Sequence, residues 1–356
     1  MLPFNIKPEK LSLEMSDYSR KLGKGLENLL GAGEIDTGVT PREAVYREDK
    51  LTLYRYQRPE DLEPCPVPLL IIYALVNRPY MTDIQEDRSI VRNLLAAGQD
   101  VYLIDWGYPD GADCSLTLDD YLNGYVDHCV DYVRKFSGQE RINILGICQG
   151  GVFSLCYTSL HQDKVRNLVT MVTPVDFQTP DNILSAWVRT IDVDLLVDTL
   201  GNVPGEILNW TFLSLKPFSL TGQKYVNMVD ILEDKDKLKN FLRMEKWIFD
   251  SPDQAGEAFR QFAKEFFQKN GLINDSVEIG GQPVSLKNIS CPVLNVFAEQ
   301  DHLVPPDASR AMRGLTGTRD YSELSFPGGH IGIYVSGKAQ KTIPPAIADW
   351  LGKRSN

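Results

Sequence analysis

Residues 143–151 read Asn143-Ile144-Leu145-Gly146-Ile147-Cys148-Gln149-Gly150-Gly151, and this stretch decides the reading of the chain. An apolar run ends in Gly-x-Cys-x-Gly, and the helical pattern Gly150 to Leu160 follows. Strand, abrupt turn and helix in that order make a nucleophile elbow, with cysteine at the reactive position. The glycines have a steric reason. The chain must reverse sharply and leave the nucleophile in a strained conformation with its side chain exposed. The residues two before and two after it then press on neighbouring backbone, where only very small residues fit. Gly146 and Gly150 meet that demand, and Gly151 adds room. A helix N-terminus just beyond Cys148 favours a thiolate there. The competing reading is a buried core cysteine beside an ordinary glycine turn. The strand before it and the helix after it favour the elbow.

Working outward, Val67 to Val76 is a continuous apolar run bounded by Pro and by Asn77-Arg78-Pro79, the pattern of a buried parallel strand. Ser89 to Ala97 reads as a helix capped by Gly98, and Asp100 to Trp106 as a strand. Leu116 to Phe136 is an amphipathic helix with Leu118, Leu122, Tyr125, Cys129 and Val133 on one face. Arg141 to Ile147 and Val165 to Val172 are further strands. Leu51 to Tyr56 alternates as an edge strand would. Strand–helix alternation predicts a doubly wound, mostly parallel sheet, and with the elbow it predicts an α/β chain of the α/β-hydrolase fold. From about Asp176 to Ser290 the strand rhythm stops, and aromatic-rich helical stretches such as Phe241 to Phe249 and Ala258 to Phe267 replace it. Strands resume at Cys291 to Ala298 and Tyr321 to Phe326. The expected organisation is a lead-in over 1–44, a core over 45–176 and 291–356, and an inserted helical lid over 177–290. Within the lead-in, Leu11 to Leu30 has helix-like spacing.

This fold requires nucleophile, acid and histidine in that chain order. Asp301 follows the strand Cys291 to Ala298, where a triad acid belongs. His330, in Pro327-Gly328-Gly329-His330-Ile331, follows the last strand, far enough on for the intervening helix Pro306 to Leu315. His302 competes for the base role, but the topology calls for the later histidine, which leaves His302 to line substrate or the surface. The Gln149 backbone N–H is one expected oxyanion donor, and the Val76 N–H, from the loop after an earlier strand, is the other. Asn77, Arg78 and Tyr80 are expected to border the entrance. His128 and His161 read as solvated. Cys156 reads as core, and Cys65, Cys114, Cys129 and Cys291 as structural.

Composition narrows the function classes. The net charge of -11 argues against a surface that coats nucleic acid. Six cysteines with no Cys-x-x-Cys pair, and four histidines, lack zinc-site spacing, so no metal is expected. Met1 to Met15 carries charges at Lys7, Glu9, Lys10 and Glu14 and no apolar core, so no signal peptide is expected. The longest apolar run is far too short to span a bilayer. Together these point to a reducing cytoplasm with free thiols.

Several stretches share one likeness: Tyr73-Ala74-Leu75-Val76-Asn77-Arg78-Pro79-Tyr80-Met81, Val101 to Gly107, Gly146 to Gly151, Thr173 to Phe177, Asp301 to Pro305 and Gly328 to Gly332. Over essentially its whole length the chain resembles the catalytic subunit of class III polyhydroxyalkanoate synthases. The resemblance implies that Cys148 is acylated by (R)-3-hydroxyacyl-CoA, chiefly 3-hydroxybutyryl-CoA, with CoA released as product and no resident cofactor. It implies that His330 deprotonates Cys148. Asp301 would orient His330 or promote activation of the 3-hydroxyl that attacks the next thioester. It further implies a growing polyester chain, a homodimer, a small partner subunit and association with polymer granules. Two other readings fit the residues themselves: a cysteine esterase, thioesterase or polyester depolymerase on the same fold, and a non-catalytic granule scaffold.

Overall fold

The computed structural model describes residues 20, 24, 27–31 and 33–355, so most of the expected helix Leu11 to Leu30, and most of the lead-in, lies outside the described residues. One eight-stranded sheet organises the chain. Its strands are Arg42–Glu48 (β1), Leu51–Tyr56 (β2), Leu69–Ile72 (β3), Val101–Asp105 (β4), Ile142–Ile147 (β5), Val165–Met171 (β6), Val293–Ala298 (β7) and Tyr321–Phe326 (β8). They lie in the order β1-β2-β4-β3-β5-β6-β7-β8. β2 is antiparallel to both its neighbours, and the remaining pairs are parallel. This is the doubly wound, mostly parallel sheet that the strand–helix alternation predicts.

The sheet is buried on both faces because successive side chains alternate sides. Leu70, Ile72 and Ile144 face one core, where the helices Asp127–Ser137 and Gln149–Leu160 supply Cys129, Val130, Val133, Val152 and Phe153. Leu69, Ile71, Leu145 and Ile147 face the other, against Ile90, Leu94, Ile343 and Leu351 from the helices Ile90–Ala96 and Gly337–Gly352. Burying each such side chain contributes about 1.5–3 kcal/mol, so the sheet centre is the rigid part of the molecule.

Three local expectations need correction. Leu51–Tyr56 is not the edge: β1 pairs with its outer side, from Arg42↔Tyr56 to Glu48↔Leu51. β1 itself is polar and half-exposed along its length, which hid it within the lead-in. The predicted helix Leu116 to Phe136 is a π-helical stretch, Asp120–Val126, running into the α-helix Asp127–Ser137. The inward face holds all the same: Leu118, Leu122, Tyr125, Cys129 and Val133 are buried. Finally, the insertion between β6 and β7 is not wholly helical. Val277–Ile279 and Gln282–Val284 pair as a small hairpin. Gly280 and Gly281 turn it, with φ of 57° and 75°, a backbone that glycine adopts without penalty.

The rest of the insertion is a helical cap, including Ile183–Val188, Val193–Leu200, Gly205–Ser214, Lys235–Phe249 and Gly256–Phe262. Phe177, Phe262, Phe266 and Phe267 form an aromatic cluster that joins the cap to the core.

Candidate active site

Cys148 sits between β5 and the helix Gln149–Leu160 with φ 54° and ψ -121°. A side chain at that φ is strained, and the surroundings hold it there. The Cys148 N–H donates to the Met171 carbonyl at 2.9 Å, and its own carbonyl accepts from the Gly151 N–H at 2.9 Å. The glycines are required by close approach. A Cβ on Gly150 would lie 2.2 Å from the Ile72 carbonyl oxygen, and one on Gly146 would lie 2.6 Å from the Gly151 Cα. One on Gly151 would meet the Thr173 side chain.

The turn after β7 and the loop after β8 bring Asp301 and His330 together. His330 Nδ1 and Asp301 Oδ2 are 2.7 Å apart, with Asp301 fully buried and His330 nearly so. The other carboxylate oxygen accepts from the Leu303 and Val304 N–H groups, both at 2.9 Å. Burial alone would lower the basicity of His330. The Asp301 charge and hydrogen bond, with the hydrogen bond and charge of Cys148, outweigh it and raise the imidazole from 6.5 to about 10. The arrangement gives a buried, oriented base whose proton affinity is raised by the two groups it would serve.

The loop after β3 borders the elbow. Gln149 contributes more than its backbone: its Oε1 accepts from the Leu75 N–H at 3.0 Å, which fastens that loop to the nucleophile helix. From the cap, Gln254 Nε2 donates to the Leu75 carbonyl at 2.9 Å. Asn77 has a left-handed φ of 57° and donates through Nδ2 to the Trp247 and Ile248 carbonyls at 3.3 and 3.2 Å. Nothing at short range in the sequence marks Gln254, and the side-chain role of Gln149 was hidden behind its expected backbone role.

A cavity of about 310 Å3 opens at Cys148 and runs beneath the cap. Val76, Asn77, Cys148, Gln149, His302 and His330 line its floor, while Val188, Leu196, Ile207, Phe212, Phe259, Phe262 and Phe267 line its roof. Its wall is predominantly apolar, as ligand sites are, with a few polar residues both on the floor and, as Asn182, Asn209 and Thr211, on the cap.

Other expected positions fall elsewhere. Arg78 is held by Asp105 and the Gly107 carbonyl and lies over the Tyr108 ring, and the Tyr80 hydroxyl donates to Asp250. Both therefore tie the core to its surroundings and lie outside the cavity lining, because a buried guanidinium takes the nearest carboxylate as partner. His302 lines the cavity beside Asp301, and burial lowers its basicity, helped by Lys216. His161 is half-buried rather than fully solvated. It stacks on Tyr157 and its Nε2 meets Asn123 Oδ1 at 2.7 Å. His128 is exposed beside Glu48. Cys129, Cys156 and Cys291 are buried. Among the described residues no group of three or more His, Cys, Asp or Glu could hold a metal ion, and no helix is long and apolar enough to cross a membrane.

A family model described as the alpha/beta hydrolase fold matches residues 67–336. A poly(3-hydroxyalkanoate) polymerase subunit from Allochromatium vinosum is 73% identical, over 99% of this chain and 100% of its own. One of the same description from Thiocystis violacea is 70% identical over 100% of both chains. Another, from a Synechocystis species, is 56% identical over 99% of this chain and 96% of its own. Among solved structures, a soluble variant of monoglyceride lipase from Saccharomyces cerevisiae superposes with a TM-score of 0.59 at 14% identity, covering 91% of this chain and 98% of that one. That likeness concerns the fold alone.

Proposed function

The chain belongs to the poly(3-hydroxyalkanoate) polymerase subunits, a family on the alpha/beta hydrolase fold, and we propose that its polymerisation of 3-hydroxyacyl groups runs through a thioester on Cys148. The observation that carries the proposal is the buried His330–Asp301 pair, 2.7 Å apart, set beside a cysteine held at the strained elbow.

His330 takes the Cys148 proton. The sulfur attacks the thioester carbonyl of (R)-3-hydroxyacyl-CoA, the carbonyl electrons move to oxygen, and the Val76 and Gln149 backbone N–H groups receive that oxyanion. As the oxyanion collapses, the bond to the CoA sulfur breaks and His330 returns the proton to the leaving thiolate. CoA therefore leaves as a product, and the enzyme needs no resident cofactor. A 3-hydroxyl, deprotonated by His330, then attacks the acyl carbon on Cys148; the oxygen ester forms as the carbon–sulfur bond breaks, and His330 returns the proton to the departing Cys148 thiolate.

The choice of sulfur follows from energetics. Acyl transfer from CoA to Cys148 exchanges one thioester for a similar one at little cost, and oxygen-ester formation from it is downhill. A serine would already hold an oxygen ester and lose that driving force. Water in the site would divert the intermediate to free acid, and the apolar roof of the cavity supports the synthase outcome over hydrolysis.

Asp301 has two readings, orienting His330 or meeting the substrate hydroxyl. Its carboxylate is fully buried, with one oxygen on His330 and the other on two backbone N–H groups, which favours orientation. The exposed apolar side chains Trp210, Phe218 and Val226 on the cap support a contact with polymer granules, with a second copy or with a small partner subunit. A cytoplasmic enzyme acting at granules fits the resemblance.

The test is product analysis. Labelled (R)-3-hydroxybutyryl-CoA is given to the purified chain with a small partner subunit, and polymer is separated from free acid. Polymer from the native chain and none from Cys148→Ala is expected. Free 3-hydroxybutyrate as the main product would make the acceptor water, and full CoA release by Cys148→Ala would remove Cys148 as nucleophile.

A further inference from the structure

Leu75 is held through both of its peptide groups. Its N–H donates to Gln149 Oε1 at 3.0 Å, and its carbonyl accepts from Gln254 Nε2 at 2.9 Å. A trans peptide is planar, so the Leu75 carbonyl and the Val76 N–H share one rigid plane and point in opposite directions. Fixing the carbonyl therefore fixes the direction of the N–H. Gln254 is itself immobilised: it is 3% exposed, and its backbone exchanges two hydrogen bonds with Val203, both 2.9 Å. Gln254, Gln149, Val76 and Cys148 all line the same cavity.

The elements around this contact reinforce it. Asn77 Nδ2 reaches the Trp247 and Ile248 carbonyls, and Trp247 Nε1 donates to the Arg78 carbonyl at 2.9 Å. The loop that follows β3 is thus fastened to the cap on either side of Val76. An isolated hydrogen bond between a loop and a cap is ordinary, but here two glutamines from different parts of the chain fix consecutive peptide planes beside the nucleophile. One comes from the nucleophile helix and the other from the cap.

We propose that Gln254 is a positioning residue for acyl transfer, aiming the Val76 N–H at the oxyanion that forms when the Cys148 sulfur bonds to the thioester carbon. The proposal rests on the reading of Val76 as an oxyanion donor. On this account the oxyanion site is complete only with the cap in place. A displaced cap slows chemistry even where it leaves the triad untouched.

The test compares acylation with alkylation. Thioester attack passes through an oxyanion, whereas alkylation of the same sulfur by iodoacetamide does not. Gln254→Leu should slow single-turnover CoA release from 3-hydroxybutyryl-CoA by about 10- to 100-fold, since removing a whole oxyanion donor costs more. It should leave KM within about twofold and the iodoacetamide rate at Cys148 unchanged, because uniform binding and the nucleophile are untouched. Gln254→Glu supplies a second readout. Its protonated carboxyl can donate to the Leu75 carbonyl and its carboxylate cannot, so its acylation rate relative to wild type should recover as pH falls through the glutamate range. A wild-type acylation rate in Gln254→Leu overturns the proposal, as does equal slowing of acylation and alkylation. Failure of the underlying oxyanion reading looks different. Val76→Pro, which deletes that N–H, would then retain both Cys148 alkylation and wild-type acylation.

Discussion

His330 Nδ1 lies 2.7 Å from Asp301 Oδ2, a contact between residues 29 positions apart that is closed off from solvent on the carboxylate side. The opposite oxygen of the same carboxylate is held by the Leu303 and Val304 N–H groups. The acid is thus anchored at both oxygens, and it holds the imidazole toward Cys148.

Asp301→Asn keeps an acceptor for those N–H groups and removes the charge. Because one carboxylate oxygen is taken by His330 and the other by two backbone N–H groups, the substitution should slow first acylation and chain elongation by similar factors, about 100-fold or more. Rapid quench for CoA release, set against polymer growth, measures both. Selective loss of elongation would instead put Asp301 on the substrate hydroxyl.

The same pair sets a pH dependence of stability. His330 is raised from 6.5 to about 10, so its protonated form is favoured by folding. That contribution is fully present below about pH 6.5 and disappears as pH rises through about 10. The stability gap between wild type and Asp301→Asn should be widest near pH 6 and should narrow steadily towards pH 10. Denaturant melts at a series of pH values check this, and a gap that widens with pH would contradict it.

Two neighbouring glycines should respond differently to alanine. The added methyl on Gly150 meets the Ile72 carbonyl at 2.2 Å, and backbone in the middle of the sheet cannot give way. The methyl on Gly151 meets Thr173 Oγ1, Cγ2 and Cβ at 1.8, 2.7 and 2.8 Å, so relief needs a shift of Thr173 itself, which stands in the loop after β6 and not in the sheet. Gly150→Ala should cost about 3 kcal/mol or more and Gly151→Ala less, measured by chemical denaturation with Cys148 alkylation as a check on the elbow.

Asn77→Asp replaces a donor by an acceptor facing the Trp247 and Ile248 carbonyls. The repulsion and lost hydrogen bonds should destabilise the cap attachment by about 1–3 kcal/mol. Hydrogen exchange should speed up along the helix Lys235–Phe249 while the strands β5 and β6 keep their protection. Uniform acceleration would mean that Asn77 supports the whole fold rather than the cap.

The sequence was legible where the constraint is local or topological. β5, β6 and β7 fall within two residues of their expected ranges, because buried parallel strands are largely apolar runs, and Tyr321–Phe326, a half-exposed strand at the sheet edge, occupies its expected range as well. The elbow was legible because its glycines answer a clash within a few residues. Asp301 and His330 were found from the order of strands, and the structure brings the two side chains together. β1 escaped notice because an edge strand with polar residues on both faces has no apolar signature. The hairpin at Gly280-Gly281 carried a two-glycine turn signal that went unread inside a helical region. Gln254 was beyond reach: its contact with Leu75 spans 179 positions, and no periodicity links the two.

The most direct test of the account is to identify the atom that carries the acyl group. Wild-type chain is mixed with (R)-3-hydroxybutyryl-CoA, acid-quenched within a turnover and digested, and the mass of the peptide containing Cys148 is measured. The account predicts a 3-hydroxybutyryl adduct on Cys148, labile to neutral hydroxylamine as a thioester is, and absent from His330→Ala on the same timescale. Polymer growth with the acyl group on another residue, or with Cys148 unmodified throughout, would contradict it.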